Sequence, residues 1–320
     1  MRLDLFQYKF PKALIAQYPL DQRDASRMMV VDRGRQGLEH RTIRDLPQFL
    51  RPGDLLVFND SRVFPARLLG KDQKIEILLL EKNGSGWEAL GKPFKKIKEG
   101  MEIDFGGGLQ GSITQKNSEQ LNIQLNNEPL LETVGLPPLP PYIRRAPQPE
   151  DKERYQSIFA RRTGSAAAPT ASFHFTEELV QTLKARGVEI AFITLHVSRD
   201  TFLPIRTEDV TQHKMHGERF CVPKETQAKI KQARRVIAVG TTVVRALESD
   251  WNQPETKLFI TPGFEFKIVD AMLTNFHQPA STLLLLVSAF VGREFILKAY
   301  TEAIAQQYRL FSYGDCMLIV

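Results

Sequence analysis

Cysteine and long apolar runs are scarce in this sequence. Its 320 residues include only two cysteines, Cys221 and Cys316, which argues against a disulfide framework and predicts a reducing compartment. The most apolar run, residues 283–291, is about half as long as a membrane span. The N-terminal stretch has no apolar segment followed by a small-residue cleavage site, so we expect no signal peptide. These absences predict a cytoplasmic protein that does not enter a membrane.

Charge of both signs is plentiful. The chain has 43 lysines and arginines against 37 acids, a formal net charge of +6, with 42% hydrophobic and 25% charged residues. This composition is ordinary for a globular protein, and the length allows two domains. The mild positive excess suits a polyanionic partner without requiring one.

Two patterns of secondary structure divide the chain. Residues 67–130 show short strand patterns and turn signals but no long helical period, which predicts a small antiparallel sandwich or barrel. From residue 148 onward, strand and helix patterns alternate, and we expect the first 60 or so residues to pack with this part. The sequence therefore predicts an α/β catalytic domain, residues 1–65 and 146–320, with an inserted antiparallel β-barrel domain, residues 66–145.

Within the α/β part, particular segments are assigned to each element type. Strands are predicted for VEIAFITLHV, RVIAVG, KLFITPG and FKIVDAMLTN. Helices are predicted for EELVQTLKARG, KETQAKIKQARR, TTVVRALESD and the long run STLLLLVSAFVGREFILKAYTEAIAQQY.

Familiar nucleotide-binding motifs are missing from the turn after RVIAVG. Thr241 and Thr242 follow this strand, and Arg245 lies one turn further on. The turn has neither the Gly-x-Gly-x-x-Gly of dinucleotide sites nor the lysine of NTP sites, and no Gly-x-Ser-x-Gly marks a hydrolase nucleophile. Its amides and hydroxyls are suited to a carboxylate or phosphate. The alternative is an ordinary helix start with a threonine cap.

His174 stands between two phenylalanines in ASFHFT. Strand alternation places Phe173 and Phe175 on one face and His174 on the other. Thr176 is expected to cap the helix that follows. His174 is thereby predicted to lie at a strand end, where open α/β sheets bind ligands; the alternative is a buried structural histidine.

Two further histidines occupy comparable places. His196 ends VEIAFITLHV, and His277 follows FKIVDAMLTN before a helix that Ser281 or Thr282 is expected to cap. Each ring alone has a structural explanation. Three rings at predicted strand ends favour a functional site.

Two other sets of polar residues are weaker indications of a functional site. His213 and His216, with Glu218 and Cys221 nearby, have a spacing compatible with a metal, but no further Cys/His pair supports one and we expect no metal site.

Near the C-terminus, FSYGD offers Tyr313 for stacking on a base and Asp315 for a ribose or a base edge. A turn stabilised by the aspartate is the plainer alternative.

Ten motifs together resemble one enzyme family, over nearly the whole chain. They are PLDQRDASRMMVVDR, GDLLVFNDSRVFPARL, PPLPPYIRR, RYQSIFARR, APTASFHFTEEL, TLHV with TF, HKMHGE, VIAVGTT with RALE, FKIVDAMLTNFHQPASTLLLLVSAF and YRLFSYGDCMLI. In this order they resemble the S-adenosylmethionine:tRNA ribosyltransferase-isomerases of queuosine biosynthesis.

The resemblance implies a reaction and its partners. The ribosyl group of S-adenosylmethionine would be transferred to 7-aminomethyl-7-deazaguanine at the tRNA wobble position and isomerised, giving epoxyqueuosine with release of adenine and methionine. S-adenosylmethionine is then a consumed substrate rather than a cofactor, and the enzyme is expected to be monomeric and metal-free. The alternatives are a non-catalytic or divergent tRNA-binding member of the same fold and, less well supported, a methyltransferase.

This chemistry selects candidate residues. A base is needed to remove an acidic C5′ hydrogen beside the sulfonium, and an acid to protonate the departing adenine; histidine serves either role near neutral pH. The catalytic candidates are His174, His196 and His277, with Asp60 as an alternative base. The candidates for substrate binding are Arg23, Arg62, Thr170, Thr241, Thr242, Arg245, Asn275, Tyr313 and Asp315.

The chain departs from the family pattern at two motifs. Ser172 and Phe173 stand where relatives typically read Gly-Leu, and Ser198, Arg199 and Asp200 replace Gly-Ala-Gly. Where a glycine holds a positive φ or lets a ligand approach the backbone, such a change alters the pocket.

Overall fold

The computed structural model describes residues 1–198, 205, 207–215 and 217–320. Within them the strands are, in chain order, β1 (Arg27–Asp32), β2 (Gly37–Thr42), β3 (Asp54–Asn59), β4 (Ser61–Val63), β5 (Arg67–Leu69), β6 (Glu76–Asn83), β7 (Gly86–Lys92), β8 (Glu102–Gly106), β9 (Leu109–Lys116), β10 (Leu121–Leu125), β11 (Arg162–Ser165), β12 (Glu189–Leu195), β13 (Glu218–Cys221), β14 (Arg235–Val239), β15 (Glu255–Thr256), β16 (Ala271–Asn275) and β17 (Cys316–Ile319). The α-helices there are α1 (Leu131–Val134), α2 (Asp151–Arg154), α3 (Glu177–Ala185), α4 (Lys224–Gln232), α5 (Thr241–Leu247), α6 (Thr282–Val291) and α7 (Arg293–Ala305).

A mixed nine-stranded sheet organises most of the chain. Its strand order is β15-β13-β12-β3-β14-β16-β17-β1-β2. The central strands β12, β3, β14 and β16 run parallel to one another, so their carboxyl ends meet at one edge of the sheet. The segments that follow these strands are thereby brought together.

Alternating apolar side chains cover both faces of this sheet. Leu55 and Val57 of β3 point into a cluster with α5, α6 and α7. Leu56 and Phe58 point into a second cluster on the other face, with α3. Burial on both faces is the pattern expected of central parallel strands.

A separate antiparallel sheet contains β5 to β10, in the order β5-β6-β7-β10-β9-β8. It surrounds its own apolar cluster, which includes Leu68, Ile77 and Ile123. The mixed sheet with its helices and this separate antiparallel sheet confirm the prediction of an α/β fold with an antiparallel β module. The larger sheet takes its strands from before and after residues 67–125. The two edge strands of this sheet, β5 and β8, also come close to each other: the N–H of Lys71, just after β5, donates to the carbonyl of Asp104 on β8 (2.8 Å).

Two predicted elements differ from the structure. KLFITPG is not a strand in the structure, and the Leu258 carbonyl accepts a hydrogen bond from the Arg245 guanidinium (3.1 Å). The long C-terminal helix is two helices, broken at Gly292, whose φ of +94° is a left-handed conformation that glycine adopts without strain.

Candidate active site

A cleft lies at the carboxyl-end edge of the parallel strands. We call it the main cleft; it is lined by residues 168–171, 197, 240–242, 274–278, 281, 283 and 311–312, with Tyr142. Thr241 and Thr242 follow β14, whereas Asn275 and His277 follow β16. The strand ends therefore bring together the groups that the sequence predicted to meet there.

Asn275 joins three segments of the cleft wall. Its Oδ1 accepts a hydrogen bond from the Thr170 hydroxyl (3.2 Å). Its Nδ2 donates to the carbonyl of Phe311 (3.2 Å) and lies 3.2 Å from Nε2 of His174. Because an amide nitrogen only donates, Nε2 of His174 accepts, and the ring hydrogen lies on Nδ1.

His174 is buried and neutral. Burial, with smaller contributions from the charges of Arg23 and Arg309, lowers its pKa to about 3. A neutral ring at pH 7 can accept a hydrogen bond at one nitrogen, as His174 does from Asn275.

The predicted strand around His174 is wrong. Residues Thr170–His174 form a 3-10 helix, closed by hydrogen bonds such as Ser172 N–H to the Pro169 carbonyl (3.2 Å). Phe173 and Phe175 therefore enter different apolar clusters. The predicted cap is confirmed: the Thr176 hydroxyl accepts from the Leu179 N–H (3.2 Å).

His277 is held from several sides in the main cleft. Its Nε2 lies 2.9 Å from the Thr274 hydroxyl, its backbone N–H donates to the Tyr300 hydroxyl (2.8 Å), and its carbonyl accepts from the Tyr8 hydroxyl. Burial lowers the pKa of His277 to about 3. The ring is therefore neutral at physiological pH and fixed in place.

His196 lies in a different hydrogen-bond network. Its Nδ1 is 2.8 Å from the Ser61 hydroxyl, which lies 2.6 Å from the Ser165 hydroxyl. Ser165 Oγ in turn accepts from the Val197 N–H (2.9 Å). Burial, followed by the charge of Arg219, lowers the pKa of His196. Sequence reasoning missed Ser61 and Ser165, although Ser61 belongs to the NDSR motif.

Gly164 leaves room for the His196 ring. A Cβ at this glycine would lie 2.6 Å from two ring atoms, and its φ of +155° is one that other residues rarely adopt.

Asp60 lies beside this network. Its Oδ1 accepts from the Thr194 hydroxyl (2.6 Å), and its Oδ2 lies 3.7 Å from Nε of Arg162.

Arg245 is placed differently from the sequence prediction. It is buried, and its guanidinium forms an ion pair with the buried carboxylate of Glu218. The other oxygen of Glu218 accepts from the Ser198 N–H (2.9 Å). Arg245 therefore lies inside the protein, with an internal carboxylate in place of the predicted ligand.

Arg62 and Asp315 also have protein partners. Arg62 is a surface residue whose Nη2 lies 3.4 Å from the carboxylate of Glu132. The Asp315 carboxylate accepts from the backbone N–H groups of Arg27 (3.0 Å) and Arg309 (2.8 Å). Asp315 is thus the aspartate-stabilised turn that the sequence offered as the plainer alternative.

A second cleft adjoins the first. We call it the arginine cleft; it is lined by Pro19, Leu20, Arg23, Ser26, Arg154, Phe173, His174, Ser312, Tyr313 and Gly314. Ser312 belongs to both clefts. The predicted residues Arg23 and Tyr313 lie here, and Arg154 is a residue that sequence reasoning missed.

The serines that replace family glycines are not strained. Neither Ser172 nor Ser198 has a positive φ. The Ser172 hydroxyl is fully buried, however, and has no hydrogen-bond partner among the described residues. The departures at Arg199 and Asp200 lie outside the described residues.

In the part of the chain that the structure describes, no group of three His, Cys, Asp or Glu side chains is placed to hold a metal ion. His216, one of the residues considered from the sequence, is not among those described. No helix of the described residues is long and apolar enough to cross a membrane.

Comparisons with known proteins agree with the resemblance. The family model described as "Queuosine biosynthesis protein" matches residues 3–319. The S-adenosylmethionine:tRNA ribosyltransferase-isomerase of Symbiobacterium thermophilum is 51% identical over 343 residues, and that of a Sulfurihydrogenibium species is 47% identical over 336 residues, each covering 100% of both chains. The crystal structure of an S-adenosylmethionine tRNA ribosyltransferase from Thermotoga maritima matches with a TM-score of 0.58 and 38% identity, covering 99% of this chain and 100% of that one.

Proposed function

The chain belongs to the queuosine biosynthesis protein family, and from this we propose that it is an S-adenosylmethionine:tRNA ribosyltransferase-isomerase. The observation that carries the proposal is the match of the family model to residues 3–319, together with full-length relatives of that name. The reaction transfers the ribosyl group of S-adenosylmethionine to 7-aminomethyl-7-deazaguanine at the tRNA wobble position and isomerises it to epoxyqueuosine. Adenine and methionine are the leaving products.

The main cleft suits the nucleoside part of the substrate. It combines apolar walls with a few convergent polar groups, among them Thr241, Thr242 and Asn275, as small-molecule sites usually do. The wobble base must leave the anticodon stack to reach such a cleft.

We assign proton transfer at C5′ to His277. The positive sulfur of S-adenosylmethionine acidifies the neighbouring C5′ hydrogens, and the His277 ring lines the main cleft, where the Thr274 hydroxyl holds it. His174 is assigned a positioning role, because its Nε2 accepts from the Asn275 amide. Roles for His196 and Asp60 stay predictions.

Further expectations accompany this assignment. The sulfonium already activates S-adenosylmethionine, so we expect no metal and no additional cofactor. We also expect a monomer acting in the cytoplasm, with residues 66–145 forming an inserted β-barrel domain. The separate antiparallel sheet and its own apolar cluster support that division.

Adenine release tests the proposal. The purified chain is mixed with S-adenosylmethionine and tRNA that carries 7-aminomethyl-7-deazaguanine, and adenine is measured by chromatography. We expect adenine from the wild type and from the surface control Arg41→Gln, but at least about a hundredfold less from His277→Asn. No adenine from the wild type would contradict the proposal. A chain that binds tRNA but does not bind S-adenosylmethionine would favour the non-catalytic alternative. S-adenosylhomocysteine as product would favour a methyltransferase.

A further inference from the structure

The guanidinium groups of three arginines around the arginine cleft donate hydrogen bonds to backbone carbonyls. The Arg23 guanidinium donates to the carbonyls of Phe173 (3.3 Å) and Glu153 (3.1 Å). Arg154 donates to the carbonyls of Asp21 (3.3 Å) and Leu20. Arg309 donates to the carbonyl of Tyr18. All of these acceptors are neutral, so these contacts hold the guanidiniums in place without cancelling their charge.

Ion-pair partners are missing for the same three residues. Among the residues that the structure describes, no carboxylate lies within 4.0 Å of a guanidinium nitrogen of Arg23, Arg154 or Arg309. In addition, Nε of Arg154 and Nη1 of Arg309 are buried without a hydrogen-bond partner there. The three side chains are half-buried, but buried polar nitrogens usually have a partner, so these two unpaired nitrogens need an explanation.

The nearby carboxylates are already engaged. Asp151 receives two hydrogen bonds from Arg145 (2.6 and 2.7 Å) and one from the Tyr313 hydroxyl (2.9 Å). Asp315 accepts the backbone N–H groups of Arg27 and Arg309. The cleft therefore has a surplus of positive charge.

The three charges act on one neighbourhood. Burial lowers the pKa of Arg23 and of Arg309; the charge of Arg154 lowers the pKa of Arg23 further, whereas the charge of Asp315 partly opposes the shift at Arg309. The charges of Arg23 and Arg309 also lower the pKa of His174. Bound negative charge would offset these unfavourable interactions.

The arginine cleft is also close to the proposed reaction site. His174 lines it, and its ring contacts Asn275 of the main cleft at 3.2 Å. Ser312 lines both clefts, so the two meet at this residue.

We propose that the arginine cleft is an oxyanion site in which Arg23 and Arg154, with Arg309 beside them, bind the anionic group of a substrate that occupies the main cleft. This inference rests on the proposed function. Two substrates supply such a group: the carboxylate of the methionine part of S-adenosylmethionine, or a phosphate of the tRNA anticodon loop. Arginine binds both in the same forked geometry.

Paired ligands distinguish the two sources. Binding of S-adenosylmethionine and of 5′-methylthioadenosine, which lacks the amino-acid group, is measured by calorimetry for the wild type, Arg23→Gln, Arg154→Gln and Arg41→Gln. If the carboxylate is bound, the two cleft variants weaken S-adenosylmethionine binding by about tenfold to a hundredfold and leave 5′-methylthioadenosine unchanged.

The RNA arm uses an anticodon stem-loop with the modified base. If a phosphate is bound, the cleft variants weaken stem-loop binding, and the slope of log affinity against log salt falls by about one. Arg41→Gln, which removes one exposed charge on β2, is the matched control for nonspecific attraction. The conservative variants Arg23→Lys and Arg154→Lys are measured in parallel, with thermal melting, so that a poorly folded glutamine variant does not decide the outcome.

The outcomes separate this inference from the function on which it rests. If the cleft variants selectively weaken binding of S-adenosylmethionine or of the stem-loop, the oxyanion site is supported. If the wild type releases adenine but every cleft variant binds S-adenosylmethionine and the stem-loop as tightly as Arg41→Gln does, the oxyanion site is wrong. If the wild type itself releases no adenine, the proposed function is wrong.

Discussion

At the scale of single residues, Ser172 is the clearest mismatch between a side chain and its surroundings. Its hydroxyl is buried without a partner in the described structure, whereas a buried hydroxyl normally forms a hydrogen bond. The sequence marked this position as a departure from the family pattern. Only the structure shows that the consequence is an unpaired hydroxyl and not backbone strain, because Ser172 lies in a 3-10 helix.

Ser172→Ala is expected to stabilise the protein by about 1 kcal/mol, because it removes an unpaired buried hydroxyl. Ser281→Ala is the matched comparison: the Ser281 hydroxyl accepts from the Leu284 N–H (3.2 Å) and caps α6, so its loss is expected to cost about 1 kcal/mol. Urea unfolding measures both changes. A loss of stability in Ser172→Ala similar to that in Ser281→Ala would show that the hydroxyl does have a partner.

The buried histidines make stability depend on pH. Burial lowers the pKa of His277 from 6.5 to about 3, so below pH 6.5 the unfolded chain binds a proton that the folded protein does not. Stability is therefore complete above pH 6.5 and falls as the pH drops toward 3, by about 2 kcal/mol at pH 5 for this residue. Unfolding of wild type and His277→Asn is compared at several pH values. The variant is expected to lose less stability as the pH falls. Parallel pH profiles of the two proteins would contradict the lowered pKa of His277.

At the scale of elements, the contact between β13 and α5 gives Arg245 an internal partner that the sequence did not predict. Arg245 and Glu218 are 27 residues apart in the chain, and reasoning from each local segment did not connect them. Helix starts, in contrast, were predictable, because a hydroxyl and the N–H it caps lie within one turn. Thr176 and Ser281 confirm that local rule.

Removing one partner of this pair is expected to be costly. Glu218→Gln preserves an acceptor for the Ser198 N–H but leaves the Arg245 charge buried and unpaired, with an expected loss of about 3–5 kcal/mol. The double variant Glu218→Leu/Arg245→Met removes both charges and is expected to lose less. Denaturant unfolding of the two variants decides between this role and a ligand-binding role, since a ligand-binding Arg245 would make Glu218→Gln nearly neutral.

At the scale of the whole molecule, the two clefts are assembled from distant parts of the chain. Arg23 comes from the N-terminal region, Tyr142 from the segment after the antiparallel sheet, and Ser312 from the C-terminal loop. The hydroxyls of Tyr142 and Ser312 lie 2.6 Å apart. The strand ends and their polar groups could be predicted from periodicity, because β14 and β16 have strong apolar patterns. The arginine cleft could not, because its residues come from several separate motifs that meet only through the tertiary fold.

The fate of the ribosyl group tests the central claim most directly. S-adenosylmethionine labelled with carbon-13 in its ribose is incubated with the chain and tRNA that carries 7-aminomethyl-7-deazaguanine, and the tRNA nucleosides are analysed by mass spectrometry. The account predicts epoxyqueuosine carrying all of the labelled ribose carbons, with unlabelled adenine and methionine released. A wobble nucleoside that gains no ribose label would contradict it.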